Sequence, residues 1–284
     1  MCAGVSSSTG SIPTSRAPLE LNRSRIFNMP LPFGLRSVAT RLILPIPVHI
    51  ASGPNAGLRW SLASGRYRRG TIEAHRMAVV EALVESGDCF WDVGAHHGYI
   101  ALLASRCVGA DGIVYAFEPS EYNLAFLQKH LAWNRCTNVE VVPSAISDRE
   151  GIANFAERGS SRSFHIGNGT GAVEVSSLPA LLDRGFRPPD VLKLDVEGHE
   201  GAILEAAAHR LPATCRILVS IHSRPNYDTV SAALTDQGFT VIESPGTLRL
   251  RDSHPGDWPD DPDLLAIGPR CQDLAQVVRL FQQS

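Results

Sequence analysis

The feature that most constrains this chain is the stretch Cys-Phe-Trp-Asp-Val-Gly-Ala-His-His-Gly-Tyr at residues 89–99. Its first five residues are mostly apolar and predict a short buried strand that carries the carboxylate of Asp92 near its end. Gly94 and Gly98 then predict a tight turn, and residues 99–106 predict a helix. A strand, a glycine turn and a helix in this order open the nucleotide-binding unit of α/β proteins, in which the loop backbone approaches a ligand closely.

Strand-like and helix-like segments alternate along most of the remaining chain. Further strands are predicted at residues 113–117, 139–142, 191–194, 217–221, 240–243 and 264–267. Helices are predicted at residues 71–86, 120–134, 178–182, 200–209, 227–237 and 272–282. This alternation predicts an α/β fold with a doubly wound, mostly parallel sheet.

Two regions depart from the alternation. Residues 148–177 predict a hairpin-like excursion, with strands at 152–155 and 172–175 on either side of a loop rich in Gly and Ser. Before the first helix, residues 48–51 and 58–62 predict short irregular strands that pack on the main domain.

The length of 284 residues suits one large domain with an extension. Residues 1–28 are rich in Ser, Gly, Thr and Pro, which predicts a disordered tail. Residues 29–86 predict an N-terminal extension with a leading helix, and residues 87–284 predict the ligand-binding domain. The most apolar early run, residues 42–51, is too short to span a bilayer and contains two prolines. With no recognisable secretory signal, we expect a soluble, cytoplasmic protein without membrane insertion.

Composition argues against several classes of partner and site. The formal net charge of −3 argues against nucleic acid as a partner. The six cysteines are scattered and form no Cys-x-x-Cys pair, which predicts reduced thiols rather than a disulfide framework or a zinc site. The sequence leaves the oligomeric state open.

Carboxylates lie at the ends of three predicted strands, as Asp92, Glu118 and Asp195. Any one such residue is commonly only a helix cap or a turn residue. In a parallel sheet, however, the carboxyl ends of the strands share one edge, and ligands bind there at the point where the strand order reverses. Three acids on this edge therefore predict a binding site.

The position of Glu118 indicates which ligand the predicted site binds. Glu118 lies about twenty residues after the glycine turn, where an acid binds both hydroxyls of a ribose. No Arg or Lys follows closely to hold a 2′-phosphate, and the turn lacks the Gly-x-Gly-x-x-Gly pattern, so NADP and NAD are disfavoured. S-adenosylmethionine (SAM) fits better, because its cationic groups suit Asp92 and its carboxylate suits the backbone amides of residues 94–98.

Four strings together resemble the FkbM family of SAM-dependent methyltransferases. They are Phe-Trp-Asp-Val-Gly-Ala-His-His-Gly-Tyr at 90–99, Ala-Phe-Glu-Pro at 116–119, Val-Pro-Ser-Ala-Ile-Ser-Asp at 142–148 and Val-Leu-Lys-Leu-Asp-Val-Glu-Gly-His-Glu at 191–200. The resemblance runs over residues 53–268, and the last string is its most specific part. It implies a class I, Rossmann-like fold and O-methylation of a hydroxyl on a natural product, a sugar or another small-molecule or glycan-type acceptor.

The resemblance also implies which residues bind the cofactor. The methionine side of the pocket would be formed by Asp92, Gly94 and Gly98. We also predict that Ala95 and His96, which lie between the two glycines, bind the cofactor. Glu118 would bind the ribose, and Ser144 and Ala145 would flank the adenine. The family usually has Asn and an apolar residue where this chain has His96 and His97. Because these two side chains are adjacent in sequence, we expect them to diverge and not to chelate one metal ion.

Methyl transfer to oxygen requires alignment of the acceptor with the methyl group and removal of a proton. Asp195 and His222, at adjacent strand ends, are the candidates for the base and for orienting the acceptor. Lys193 is expected to pair with a nearby carboxylate, or else to contact the substrate. Glu197 and Tyr67 are candidates for acceptor binding, the latter because it lies within a cluster of arginines.

Several alternatives stay open at this point. Asp195 and Glu197 offer oxygen ligands that suit Mg²⁺, but no third ligand is obvious, so we predict no metal site. Glu197 and Glu200 fall in the first turn of a helix, where acids complement the helix dipole without a catalytic role. Two other functions also fit the fold: an NAD-dependent oxidoreductase, and a protein that binds SAM without turnover.

Overall fold

The computed structural model describes residues 43–157, 164–166, 171–245, 262–271 and 274–283, so the predicted tail at 1–28 lies outside the described residues. The strands are β1 (Pro47–His49), β2 (Arg59–Ser61), β3 (Cys89–Val93), β4 (Ile113–Phe117), β5 (Val139–Val142), β6 (Ala145–Ser147), β7 (Gly151–Glu157), β8 (Phe164–Ile166), β9 (Gly171–Ser177), β10 (Val191–Leu194), β11 (Arg216–Ser220), β12 (Thr240–Glu243) and β13 (Asp263–Ile267). The α-helices are α1 (Ala74–Leu83), α2 (Tyr99–Val108), α3 (Glu121–Asn134), α4 (Leu178–Asp183), α5 (Glu200–Ala207), α6 (Arg224–Asp236) and α7 (Ala275–Gln282).

Seven strands form the central sheet, in the spatial order β12-β13-β11-β10-β3-β4-β5. Neighbouring strands are parallel except at β13, which runs antiparallel to both β11 and β12. The chain builds from β3 outward through β4 and β5, and then continues on the other side of β3 with β10. This reversal between β3 and β10 is the switch point at which such sheets bind ligands. The mostly parallel sheet predicted from the sequence is confirmed.

Helices cover both faces of the central sheet, which confirms the doubly wound arrangement. Successive side chains of a strand point to opposite faces, so Phe90 belongs to one apolar core and Trp91 to the other. Apolar residues of α1, α2, α3 and α7 pack in the core that contains Phe90. Those of α4, α5 and α6 pack in the core that contains Trp91.

Five predicted strands agree with the structure at both ends: 89–93, 113–117, 139–142, 191–194 and 240–243. Three helices begin elsewhere than predicted, and one of them, α7, begins at Ala275 and not at residue 272. The helix α1 begins at Ala74 and not near Thr71, and the residue before it, Glu73, has a left-handed φ of 55°. The helix α6 begins directly after Ser223, because the hydroxyl of Ser223 accepts a hydrogen bond from the backbone N–H of Asn226 and caps the helix.

The described part of the N-terminal extension is held against α3. In β2, which pairs antiparallel with β1, Trp60 stacks on His130 with ring centroids 3.6 Å apart. The backbone N–H of Ser61 donates to Nε2 of His130 (2.9 Å), and Nδ1 of His130 donates to the carbonyl oxygen of His97 (2.7 Å). Burial lowers the pKa of His130 to about 4, so this ring is neutral at pH 7. These contacts place the extension beside the glycine turn.

A second sheet, in the order β6-β9-β7-β8, follows the central one. The antiparallel pairing of β7 with β9 agrees with the hairpin-like excursion predicted from the sequence. The parallel pairing of β6 with β9 was not predicted. Because β6 follows closely after β5, this sheet begins at the carboxyl edge of the central sheet.

The five cysteines within the described residues, Cys89, Cys107, Cys136, Cys215 and Cys271, are all free, as predicted for reduced thiols. Burial raises the pKa of Cys89 to about 12, so its thiol is inert at neutral pH. Over the same part of the chain, no helix has the length and apolar character needed to cross a membrane.

Candidate functional site

A cavity opens at the carboxyl edge of the central sheet, at the switch point between β3 and β10. Of the predicted cofactor-binding residues, the cavity is lined by Gly94, Ala95, His96, Glu118, Ser144 and Ala145. Of the predicted catalytic and acceptor-binding residues, it is lined by Tyr67, Lys193, Asp195 and Glu197. Three predicted site residues lie next to the cavity without lining it: Asp92, Gly98 and His222.

The two glycines of the turn allow close packing around the cavity. Gly94 has a φ of 79°, and a Cβ atom at this position would lie 1.9 Å from the carbonyl oxygen of Asp195. Gly98 has a φ of 84°, and a Cβ atom there would lie 2.5 Å from Cδ1 of Leu127 in α3. A side chain at Gly94 would clash with backbone, and one at Gly98 would require a strained φ and a shift of the Leu127 side chain. The first glycine brings the loops after β3 and β10 together, and the second lets α2 pack on α3.

Glu118 presents a buried carboxylate that is held by N–H groups. Its Oε2 accepts from the backbone N–H of His96 (2.8 Å), and its Oε1 accepts from the backbone N–H of Ser120 (3.0 Å) and the side-chain amide of Asn123 (3.1 Å). Burial raises the pKa of Glu118, although the three hydrogen bonds oppose that rise. Each carboxylate oxygen accepts two hydrogen bonds, so Oε2 can take another donor from the cavity.

The amides of the glycine turn are mostly engaged within the protein. The backbone N–H groups of Gly94 and Ala95 both donate to the carbonyl oxygen of Phe117 (3.0 Å each). That of His96 donates to Glu118, and that of Gly98 donates to the carbonyl oxygen of Ala95 (2.8 Å). Four of the five amides of residues 94–98 are thus engaged within the protein, and their predicted contact with the carboxylate of a cofactor stays a prediction.

Ser144 joins the cavity to the second sheet. Its hydroxyl donates to the carbonyl oxygen of Glu174 (3.2 Å) and is hydrogen-bonded to the hydroxyl of Ser176 in β9 (3.1 Å). Ala145 and Ile146 follow it along the cavity wall. This side of the cavity is therefore small and apolar, with its one hydroxyl tied to neighbouring strands.

Lys193 pairs with Asp92, which is one of the two alternatives for this lysine. The two residues are cross-strand neighbours in β10 and β3, and Nζ of Lys193 lies 3.1 Å from Oδ1 of the fully buried Asp92. Nζ also donates to the carbonyl oxygens of Val93 (3.2 Å) and Gly94 (2.8 Å). Burial lowers the pKa of Lys193, but the charges of Asp92 and Asp195 outweigh it and raise the pKa. Asp92 therefore neutralises this lysine and does not line the cavity.

Asp195 lies among three cationic groups. Its Oδ2 is 3.1 Å from Nη1 of Arg76 and 3.9 Å from Nζ of Lys193, and its Oδ1 is 3.5 Å from Nε2 of His222. Burial raises the pKa of Asp195, but the charges of Lys193, Arg76 and His222 outweigh it and lower the pKa. This carboxylate is ionised at neutral pH and is a weak base.

Arg76 was missed by the sequence analysis. From α1 it donates to Asp195, and with Nε and Nη2 it also holds both oxygens of Asp263 at the start of β13 (3.1 and 2.7 Å). A signal was present in the sequence, because Arg76 stands one and two turns before Val80 and Leu83 on the apolar side of α1. A charge on a buried helical stripe indicates a partner inside the protein.

His222 is held on both sides by carboxylates. Its Nδ1 lies 2.9 Å from Oε1 of Glu200, and its Nε2 lies 3.5 Å from Asp195 and 3.8 Å from Oε2 of Glu197. Burial lowers the pKa of His222, but the hydrogen bond and charge of Glu200, together with Asp195 and Glu197, raise it to about 9. The ring is therefore an imidazolium at neutral pH, and both nitrogens are donors.

Glu200 does more than complement a helix dipole. It is fully buried, and it accepts from the backbone N–H groups of Val196 (2.9 Å) and Gly198 (3.1 Å) and from the side-chain amide of Asn226. Between them, Glu197 adopts a left-handed φ of 59° and lines the cavity. The carboxylate of Glu200 therefore fixes the loop that follows β10.

Aromatic side chains close the cavity on the side of the N-terminal extension. The rings of Tyr67 and Tyr99 are 4.9 Å apart, and Tyr67 also packs on Trp60 at 5.5 Å. The hydroxyl of Tyr99 is buried, and no hydrogen-bond partner for it is found in the described part of the chain. The extension thus contributes a wall of the cavity.

His96 and His97 do not diverge, contrary to the sequence-based expectation. Their rings stack with centroids 4.0 Å apart, because His96 adopts a left-handed φ of 51° that turns its side chain back over its neighbour. His97 packs on Phe126 at 4.1 Å, and its Nδ1 is hydrogen-bonded to the hydroxyl of Ser64 (2.7 Å). Burial lowers the pKa of His97 well below its usual range, so the ring is neutral.

Asp195, Glu200 and His222 present possible metal-ligand atoms within 4.8 Å of one another. Of the pair considered from the sequence, only Asp195 belongs to this cluster. The existing partners account for all three groups, since His222 bridges the two carboxylates and Arg76 already binds Asp195. A cation at this point would be repelled by both the guanidinium and the imidazolium, so we assign no metal ion to the cluster.

Comparison with known proteins identifies methyltransferases. Residues 92–243 match the family described as Methyltransferase FkbM domain. Among curated proteins, the chain is 28% identical over 176 residues to the hexuronic acid methyltransferase AglP of Haloferax volcanii, a match that covers 59% of this chain and 69% of that protein.

Solved structures that match the chain do so at low identity. A precorrin-6Y C5,15-methyltransferase of Geobacter metallireducens has 15% identity and a TM-score of 0.44, with 69% of this chain and 88% of that chain covered. A SAM-dependent O-methyltransferase of Thermotoga maritima has 17% identity and a TM-score of 0.44, with 71% and 67% covered. Fibrillarin of Aeropyrum pernix, with natively bound SAM, has 16% identity and a TM-score of 0.42, with 68% and 73% covered.

Proposed function

The chain belongs to the FkbM methyltransferase family, which its residues 92–243 match, and on this premise we propose that it is a SAM-dependent O-methyltransferase. The acceptor in this proposal is a hydroxyl group of a small molecule or glycan. One observation carries it above all: the carboxylate of Glu118 is buried at the cavity wall, and its partners there are N–H groups. An acid with a spare acceptor position at the end of this strand suits a hydroxyl of a ribose.

The other residues that line the cavity also suit SAM. Ala145 and Ile146 offer apolar surface for a purine ring. Elsewhere in the cavity lining, the three carboxylates of Glu73, Asp195 and Glu197 outnumber the two cationic groups of Arg76 and Lys193. Acidic surroundings favour a ligand that carries ammonium and sulfonium charges. When bound, SAM supplies an electrophilic methyl group.

The side chains around Asp195 act by positioning in this proposal. Asp195 accepts a hydrogen bond from a hydroxyl of the acceptor next to the reacting one and so orients the acceptor. Lys193 and His222 hold Asp195 in place as an ionised group. Glu197 and Tyr67 contact the remainder of the acceptor from the two sides of the cavity mouth. We expect Asp195→Asn to keep the affinity for S-adenosylhomocysteine and to stop methyl transfer.

A thermal unfolding experiment tests the cofactor. We expect S-adenosylhomocysteine to raise the melting temperature of the full chain and NADH to leave it unchanged, because a ligand stabilises only the state that binds it. Glu118→Ala should remove the effect of S-adenosylhomocysteine, whereas the control Glu140→Ala, at an exposed position of β5, should keep it. Stabilisation by NADH would support the oxidoreductase instead, and an unchanged response of Glu118→Ala would contradict the proposed ribose site.

A transfer assay tests the reaction. The probes are SAM with a labelled methyl group and a panel that contains glucuronic acid, its methyl glycoside and neutral glycosides, chosen because of the similarity to a hexuronic acid methyltransferase. We expect a labelled product that survives alkali, because a methyl ether is stable there and a methyl ester is not. An alkali-labile product would show methylation of a carboxylate, and binding of S-adenosylhomocysteine without labelling of any acceptor, in a cell extract as well, would support a silent binder.

A further inference from the structure

Glu73 stands out among the cavity residues because of its backbone. It is the residue before α1 and has a φ of 55° in the left-handed region, which costs a residue with a Cβ about 1–2 kcal/mol. Its side chain makes no capping hydrogen bond to α1, although an acid at this position commonly caps a helix. The carboxylate lines the cavity instead. The local strain therefore directs this side chain into the site.

Glu73 and Asp195 share one guanidinium nitrogen. Nη1 of Arg76 lies 3.1 Å from Oδ2 of Asp195 and 3.9 Å from Oε2 of Glu73. The other two nitrogens of Arg76 are taken by Asp263. Glu73 thus lies beside Asp195 but with the longer ion-pair contact, and its side chain is 27% exposed. Of the two carboxylates on this guanidinium nitrogen, Glu73 is the less constrained.

The two base candidates from the sequence are poorly suited to take a proton. His222 is already protonated below about pH 9, and Asp195 is stabilised as an anion by its cationic neighbours. Burial raises the pKa of Glu73, although Arg76 opposes that rise. A general base works best when its pKa lies near the working pH. Glu73, whose pKa is raised, is therefore a stronger proton acceptor than Asp195, whose pKa is lowered, and His222 already carries its proton at neutral pH.

We propose that Glu73 is a catalytic residue that takes the proton from the acceptor hydroxyl, an inference that rests on the proposed function. As the acceptor oxygen forms its bond to the methyl carbon, the bond from that carbon to sulfur breaks and its electron pair stays on sulfur. The hydroxyl proton passes to the carboxylate of Glu73 and then to solvent. Asp195, on the other side of Arg76, keeps the acceptor oriented.

The surroundings of Glu73 fit an acceptor site. The rings of Tyr67 and Tyr99 lie together on this side of the cavity, and the charge of Glu73 contributes to raising the pKa of the buried Tyr99 hydroxyl. Aromatic rings with hydroxyl groups suit sugars, which present both C–H faces and hydroxyls. Glu73, Arg76 and Tyr67 precede the segment 92–243 that matches the family. A part of the acceptor wall is thus built by residues outside that segment.

A pair of ligands tests this placement without knowledge of the acceptor. Sinefungin resembles SAM but carries an amino group in place of the methyl group, whereas S-adenosylhomocysteine carries neither. We expect Glu73→Gln to weaken sinefungin binding about tenfold or more, because a charged partner of the amine is lost. Binding of S-adenosylhomocysteine should change less than about twofold. The control Glu81→Gln, at an exposed position on the same helix, should change neither affinity.

Each outcome of this calorimetric titration is decisive. If Glu73→Gln binds both ligands equally more weakly, Glu73 contacts a part that both ligands share. If it binds neither ligand more weakly, Glu73 does not face the methyl group. Either result overturns the inference. Failure of the unmodified chain to bind S-adenosylhomocysteine overturns the proposed function itself. If Glu73→Gln does not fold, Glu73→Asp replaces it, since Asp tolerates a left-handed φ and keeps the charge one methylene farther away. For this variant we expect a smaller loss that is again confined to sinefungin.

Turnover supplies a second readout on an acceptor found in the transfer assay. We expect Glu73→Gln to lower kcat about 100-fold or more while the KM for SAM stays unchanged. A variant with normal kcat would contradict a role in proton removal even if its sinefungin affinity fell.

Discussion

At the scale of single residues, the site depends on backbone positions that other residues cannot occupy. Gly94 is the most constrained, because a Cβ atom would lie 1.9 Å from the carbonyl oxygen of Asp195. Positive φ values at Glu73, His96 and Glu197 add strain at three further points around the same cavity. Strain of this kind persists only where surrounding contacts hold it, and it concentrates at functional sites.

Gly94→Ala should separate the loops after β3 and β10. We expect it to lower the free energy of unfolding by more than about 2 kcal/mol and to abolish measurable binding of S-adenosylhomocysteine, because the clash is with backbone. Gly57→Ala is the matched control, since Gly57 has a similar φ of 82° but nothing within 4 Å of the added carbon. It should cost about 1 kcal/mol and keep binding. Equal behaviour of the two variants in denaturant titrations would contradict the close approach at Gly94.

The imidazolium of His222 should make stability depend on pH on the alkaline side. Its pKa is about 9 in the folded chain and about 6.5 when unfolded. The stabilisation is therefore complete below about pH 6.5 and is lost as the pH rises through about 9. Relative to wild type, His222→Gln should be less stable by on the order of 3 kcal/mol at pH 6. The difference in free energy of unfolding between the two proteins should shrink by pH 10. If urea unfolding gives the same difference at both pH values, His222 is not charged in the folded chain.

Residue patterns could predict the cofactor side of the site much better than the acceptor side. Gly94 and Glu118 follow predicted strands directly, so local spacing alone brings them to one sheet edge. Asp92 was predicted to line the cavity, but it pairs with Lys193 behind the cavity wall. This pairing could not be predicted, because it depends on the register between β3 and β10. Glu73 and Arg76 could not be placed, since they reach the cavity only through tertiary contacts of α1, among them those of Arg76 with Asp195 and Asp263.

At the scale of elements, the junction between β2 and α3 ties the N-terminal extension to the cofactor turn. His130 lies at the centre of this junction. Its Nε2 accepts from the backbone N–H of Ser61, its Nδ1 donates to the carbonyl oxygen of His97, and its ring stacks on Trp60. Both ring nitrogens are used in the neutral form, so protonation would break the hydrogen bond from Ser61. The position of Tyr67, a few residues further on, depends on this junction.

His130→Phe should keep the stacking on Trp60 but leave the N–H of Ser61 and the carbonyl of His97 unpaired. We expect a loss of about 2–4 kcal/mol in the free energy of unfolding at pH 7. Because the pKa of His130 is about 4 in the folded chain, wild type loses this stabilisation as the pH falls from about 6.5 to 4. The difference between the two proteins should therefore narrow on acidification. The control Gln128→Ala, at an exposed position of α3, should match wild type throughout.

At the scale of the whole molecule, alternating strands and helices were enough to predict the doubly wound sheet. That pattern could not predict two pairings: the antiparallel pairing of β13 with β11 and the parallel pairing of β6 with β9. Both join segments that are distant in sequence. These pairings matter for the site. They position Asp263, which holds Arg76, and Ser144, which lines the cavity beside Ala145.

A crystal structure with bound S-adenosylhomocysteine tests most directly whether the cofactor binds at the carboxyl edge of the central sheet with its ribose on Glu118. We expect a ribose hydroxyl within hydrogen-bonding distance of Oε2 of Glu118, the adenine against Ala145 and Ile146, and the sulfur on the side of Asp195 and Glu73. A ribose bound elsewhere, with Glu118 still contacting only its own amides and Asn123, would contradict the claim.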